Sequence, residues 1–161
     1  MKKIVALTLA LLLMFSLAAC SSSSSSSGDT NPGADMTLSE IMTTILDGAV
    51  PAELAVGEMP LDEENFAFFA FIDPIEGAEG LASEAMMSSV AHSVVLLRLP
   101  EDADAAAVAA EVEKNADPRK WICVTAEKTE VLQHGNLVLL VMSATDTATA
   151  IAENFTAFCE G

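Results

Sequence analysis

The chain has 161 residues, with 24 Asp and Glu against 7 Lys and Arg and a formal net charge of −17 at pH 7. No Lys/Arg cluster exists to neutralise phosphates, so composition argues against a nucleic-acid partner and favours cations or basic peptides in the neighbourhood. Lys2 and Lys3 open the chain, and Ile4 to Leu17 is apolar but for Thr8 and Ser16, the pattern of a secretory signal peptide. That run falls short of the roughly 20 residues a membrane-spanning helix needs. No later segment of that length lacks charge, so no permanent transmembrane helix is expected.

Leu17-Ala18-Ala19-Cys20 resembles the lipobox of bacterial lipoproteins, in which the cysteine thiol is diacylated and cleavage leaves it as the mature N-terminus. The resemblance implies a signal peptide over 1–19, Cys20 as the lipidation site carrying palmitate-type chains, and a lipid-anchored place on the extracytoplasmic face of the cell membrane. Two acyl chains hold stably where one binds only marginally. The plainer alternative is an ordinary cleavage site with Cys20 a free thiol. Ser21 to Asp35 carries seven serines, then Gly, Asp, Thr, Asn, Pro and Gly, and is expected to be a flexible spacer packed against nothing. Its root-mean-square span would be roughly 20 Å. Without residues 1–19 the chain keeps 24 acids and 5 basic residues, a net charge of 5 − 24 = −19.

Residues 36–161 suffice for a single domain with one core. Thr37-Leu38-Ser39-Glu40 is a capping-box pattern, and Leu38, Ile41, Met42, Ile45 and Leu46 recur at helical spacing, which predicts a helix over 38–47 stopped by Gly48. Residues 62–71 suit either helix or strand, with the acidic Asp62, Glu63 and Glu64 favouring a helix first turn. Strands are expected over 80–87 and 91–99 around a turn near Ser88 and Ser89. Asp102 or Asp104 should cap a helix that Pro118 stops. A hairpin turning at Gly135-Asn136 then joins Lys128–Gln133 to the apolar Leu137–Met142, and a helix from about Asp146 ends the chain. Trp121 to Ala126 reads equally as strand extension or loop.

The class is therefore α+β. A continuously apolar strand seeks a central place and a mixed one an edge. That predicts a four-stranded antiparallel sheet of order 1-2-4-3, circularly permuted ferredoxin-like, with the last two helices on one face. The order of elements, with "AMMSSVAHSVVLLRLPED" at 85–102 and "TEVLQHGNLVLLVMS" at 129–143, resembles a bacterial lipoprotein family catalogued as domain of unknown function four-three-five-eight. The resemblance covers roughly residues 58–160 and implies place and fold, with no chemistry to carry over.

No catalytic, cofactor-binding or metal-binding residue stands out. His92 and His134, the only histidines, read as solvated turn residues without partners. Asp102, Asp104 and Glu113 match positions 1, 3 and 12 of a calcium loop, but Ala106 and Ala107 occupy positions where a ligand and the required glycine belong. Met86-Met87 reads first as strand core and second as an adaptable partner surface. Asn154-Phe155-Thr156 is a glycosylation triplet placed in a helix. There is no G-x-S-x-G and no phosphate-cradling glycine loop, and the absence of Tyr beside the single Trp121 argues against a sugar-stacking cleft. Cys123 and Cys159 are the thiols left beyond Cys20, a candidate disulfide in an oxidising compartment, although spacing does not place their Cα atoms. The reading that results is a membrane-anchored, non-enzymatic interaction domain with an envelope protein partner and no cofactor. It would work through whatever apolar sheet face the helices leave bare. The alternatives are a solute- or cation-binding lipoprotein and an unrecognised envelope hydrolase.

Overall fold

The structure is a computed structural model that describes residues 31–161; the expected signal peptide, Cys20 and the serine run lie outside the described residues. The first helix, α1 (Leu38–Leu46), opens on the expected capping box: Glu40 N–H donates to Thr37 Oγ1 at 3.2 Å, and Thr37 N–H donates to Glu40 Oε2 at 2.8 Å. Its other end is closed from outside the helix. Asn154 Nδ2 donates to the carbonyls of Ile45 and Asp47 at 3.0 Å each, satisfying groups that a helix C-terminus leaves open.

Five strands form one antiparallel sheet of order β1-β2-β3-β5-β4: β1 (Val56–Pro60), β2 (Glu79–Ala85), β3 (Ser93–Arg98), β4 (Lys128–His134) and β5 (Leu137–Ser143). This corrects the expected four-stranded, permuted ferredoxin-like sheet. The overturning element is β1, whose sequence Val-Gly-Glu-Met-Pro carries no strand signal because Gly, Glu and Pro are depleted in strands. It holds its place as an edge. Met86 N–H donates to Ala55 O at 2.9 Å and Leu61 N–H to Gly80 O at 2.8 Å, so the odd-numbered residues face β2 and Pro60 points its missing N–H outward. An edge blunted this way offers little to a further strand.

Helix α2 (Phe66–Ala70) is a single short turn, seeded by Asp62 Oδ1 accepting from the N–H groups of Glu64 and Asn65 at 3.0 Å each. Asp104 Oδ1 caps α3 (Ala105–Asn115) by accepting from Ala107 N–H at 3.0 Å, so the acid assigned to a failed calcium loop does the capping. The last helix, α4 (Thr145–Glu160), starts where Glu127 Oε2 accepts from Thr145 N–H at 3.0 Å.

Alternation along β3 and β5 divides the core in two. Val94, Leu96, Leu137, Leu139 and Val141 face α1 and α4, while Val95, Leu97, Val138, Leu140 and Met142 face Phe66, Phe69 and Val112 of α2 and α3. The last two helices thus lie on opposite faces, not on one. A β5 apolar on both faces does not by itself say which helix takes which side; chain direction after Ser143 sends α4 to one and the β3–β4 crossover sends α3 to the other. Both faces of the sheet are covered.

The chain before α1 is docked as well. Arg98, at the end of β3, donates from Nη2 to the carbonyls of Gly33 at 3.0 Å and Met36 at 2.7 Å, while Nη1 meets Glu79 at 3.2 Å. Gly33 adopts φ +66° and passes so close that a Cβ there would lie 2.8 Å from Ile41 and Phe158. Residues 31–35, expected to belong to a spacer in contact with nothing, are a strap on the domain.

Candidate functional site

The densest polar cluster lies at the end of the sheet away from Arg98, and its centre is a residue the sequence did not mark. Between α3 and β4 the chain runs through a loop closed by Ala126 N–H donating to Pro118 O at 2.9 Å, with Asp117 Oδ1 accepting from Arg119 N–H at its start. That loop drives Lys120 inward. Its Nζ lies 2.9 Å from Glu84 Oε1 and 2.8 Å from Ser93 Oγ, and Ser93 Oγ in turn donates to Glu84 Oε1. Three rings surround the ammonium, with centroids at 4.9 Å for Phe69, 5.2 Å for Trp121 and 5.5 Å for Phe68. Such ring faces attract a cation electrostatically.

The Lys120 side chain is only 4% exposed against 20% for Glu84. Burial pulls the Lys120 pKa below the usual lysine value, opposed by the charge of Glu84 and its hydrogen bond. Across the sheet, on the α1/α4 face, His92 is fully buried and its Nδ1 lies 3.0 Å from Ser143 Oγ. Burial, then the charge of Lys120, lowers its pKa to about 4. The expectation of a solvated His92 is corrected; His134, at the end of β4, is exposed. Nε2 of His92, Ser83 Oγ and Thr129 Oγ1 are buried without a hydrogen-bond partner among the described residues.

Two arrangements here have the outward form of catalytic pairs, Ser93 with Lys120 and Ser143 with His92. Nucleophilic catalysis needs a hydroxyl that substrate can reach. Ser93 is fully buried and Ser143 is 2% exposed, so both pairs are closed to solvent and lock the sheet end together.

What reaches solvent at this end includes large apolar side chains beside the polar Ser88, Ser89 and Arg119. Phe68 is 60% exposed, Met86 74%, Met87 52% and Ile122 fully exposed. Phe68 touches the Lys120 cluster directly; Met86 and Met87 follow Glu84 by two and three residues, and Ile122 follows Lys120 by two. Met86 N–H is tied to Ala55 O, which fixes the pair just beyond the β2 end. The first reading of Met86-Met87 as strand core is therefore corrected, because β2 ends at Ala85.

Asp102, Asp104 and Glu113 do not converge, and among the described residues no group of three or more His, Cys, Asp or Glu is placed to hold a metal ion. Cys123 and Cys159 are both free. Cys159 packs with the α1/α4 core, whereas Cys123 belongs to the loop whose Trp121 packs on the opposite one, and the sheet lies between. Burial, then the charge of Glu160, pushes the Cys159 thiol up to about 11. Asn154, the glycosylation triplet's acceptor, spends its amide on α1. Surface depressions open to solvent include one between Asn31, the start of α3 and the Gly135 turn, and another between residues 61–66 and 74–78. Among the described residues no helix is long and apolar enough to cross a membrane. No protein-family model, curated protein or solved structure matches this chain.

Proposed function

We propose that this chain is a lipid-tethered, extracytoplasmic interaction domain that acts without enzymatic chemistry, anchored through Cys20 and meeting an envelope protein. The observation that carries the reading is the exposed group of Phe68, Met86, Met87 and Ile122 at the end of the sheet that holds the largely buried Lys120–Glu84 ion pair. Large exposed apolar side chains gathered in one place mark a contact surface on a protein whose core is otherwise complete. The surface is this end of the sheet and not a bare sheet face, since α1 to α4 cover both faces.

Placement supports the same reading. The strap at residues 31–36 is held by Arg98, at the opposite end of β3 from Ser93, about 17 Å away along the strand. A tether entering at the Arg98 end sets the apolar end away from the lipid. The solute-binding alternative needs an enclosed pocket of converging polar groups. The hydrolase alternative needs an exposed nucleophile beside a base.

Two measurements test the proposal. Cys20→Ser should abolish incorporation of labelled palmitate and release the protein from membranes. Met86→Lys/Met87→Lys should keep the label and membrane location yet lose partners recovered by crosslinking from intact envelopes. Unchanged recovery would reject the surface, and an unlabelled wild-type chain would reject the anchor.

A further inference from the structure

We propose that the outer edge of β4 takes an added strand, an extended segment of a partner protein that carries Lys or Arg on one face and apolar residues on the other. This surface is separate from the apolar sheet end. Leu99 N–H donates to Asn136 O at 2.9 Å, so Asn136 turns its backbone to β3 and Leu137 turns to β4. The even-numbered residues of β4 therefore bond β5, and the N–H and C=O groups of Thr129, Val131 and Gln133 point away from the sheet. Among the described residues none of these three N–H groups has a backbone partner. Where β1 is blunted by Pro60, β4 runs through seven residues in unbroken register without Gly or Pro. An edge of that kind is a template for a further strand.

The two sides of β4 differ, and that decides the occupant. On the α4 side, Leu132, Ala152 and Ala157 line an open groove whose carboxylates are Glu130, Glu153 and Glu160, with no Lys or Arg among its lining. Lys128, the one base on β4, is folded back onto Glu130 and Thr149, and Glu153 and Glu160 pair with no cation among the described residues. At the hairpin end, the depression beside Gln133 adds Glu101 and Asp104, again without a base. On the α3 side, Val131 packs with the apolar core. Successive side chains of an added strand alternate between these sides, so its Lys or Arg meets the carboxylates while its β-branched residues meet Val131. A second copy of β4 would set Glu130, Glu153 and Glu160 near their own counterparts, and like charges across a contact disfavour it.

The test uses the full chain in phosphatidylcholine nanodiscs, with hydrogen exchange read over residues 128–134 in the presence of synthetic peptides. One alternates Val and Lys, one is the same peptide with every backbone nitrogen methylated, and one alternates Val and Glu. The Val/Lys peptide should protect the outward amides of this segment, bind several-fold more weakly as salt rises, and bind about tenfold more weakly to Glu153→Lys/Glu160→Lys, whose side chains are exposed on α4. The methylated and Val/Glu peptides should protect nothing. Val131→Pro removes one outward N–H and should abolish the protection; the charge variant carries the comparison if Val131→Pro does not fold. Equal protection by Val/Glu and Val/Lys would overturn the cationic partner, equal binding of the methylated peptide would overturn strand addition, and no protection by Val/Lys would overturn both. Protection that appears without peptide and grows with protein concentration would make a second copy the occupant and overturn the proposal too. Loss of protection in Met86→Ser/Met87→Ser, at the other surface, would place the peptide there and not at β4.

Discussion

His92 makes the folded state sensitive to acid. Its pKa is lowered from 6.5 to about 4, so between those values the unfolded chain binds a proton that the folded chain refuses. Its contribution to stability is complete above pH 6.5 and is lost as pH falls towards 4, amounting to about 3 kcal/mol over the window. Urea unfolding of wild type and His92→Gln at pH 7, 6, 5 and 4 should show the loss only in wild type, and parallel curves would reject it. Lys120 affects the same histidine through its charge. Lys120→Met should raise the His92 pKa, read from its imidazole NMR shifts, and destabilise the fold by about 2 kcal/mol, because Glu84 is left partly buried without its cation. Adding Glu84→Gln should recover much of that loss; an additive double variant would mean that the pair is not coupled. Neither residue was legible as a site. Lys120 stands 36 positions from Glu84 and His92 stands 51 from Ser143, so nothing local announces either pairing.

At the scale of elements, the two ends of α1 are fixed differently. The N-terminal capping box is written in four consecutive residues and could be read directly. The C-terminal closure by Asn154 comes from more than a hundred positions away on α4 and could not. Asn154→Ala should therefore cost about 2 kcal/mol, for two carbonyl bonds lost at once, and speed hydrogen exchange at the last turn of α1 before the rest of the domain. A uniform change in exchange would mean that the amide does not hold the helix end. The strap gives a second case. Arg98→Ala removes its two carbonyl anchors, and limited proteolysis of the variant should begin within residues 31–36 while the sheet stays protected. Equal cleavage of both proteins would show that Gly33 packing on Ile41 and Phe158 suffices.

For the whole molecule, the signal-peptide and lipobox-like patterns, the acidity and the α+β class depend on composition, local order and period-2 or helical spacing, all of which a single sequence carries. The apolar runs of β3 and β5 and the Gly135 turn belong with them, since a turn residue and a buried strand are specified by neighbours. Three features were decided only by the tertiary structure. Strand β1 exists because β2 has a free edge to pair with, not because Val-Gly-Glu-Met-Pro prefers to be extended. The faces taken by α3 and α4 were open, because strands apolar on both sides accept a helix on either. The largely buried Lys120 pair and the exposed apolar side chains near it arise where a loop folds back over the sheet end, and long-range juxtaposition leaves no local signature in the residues that take part.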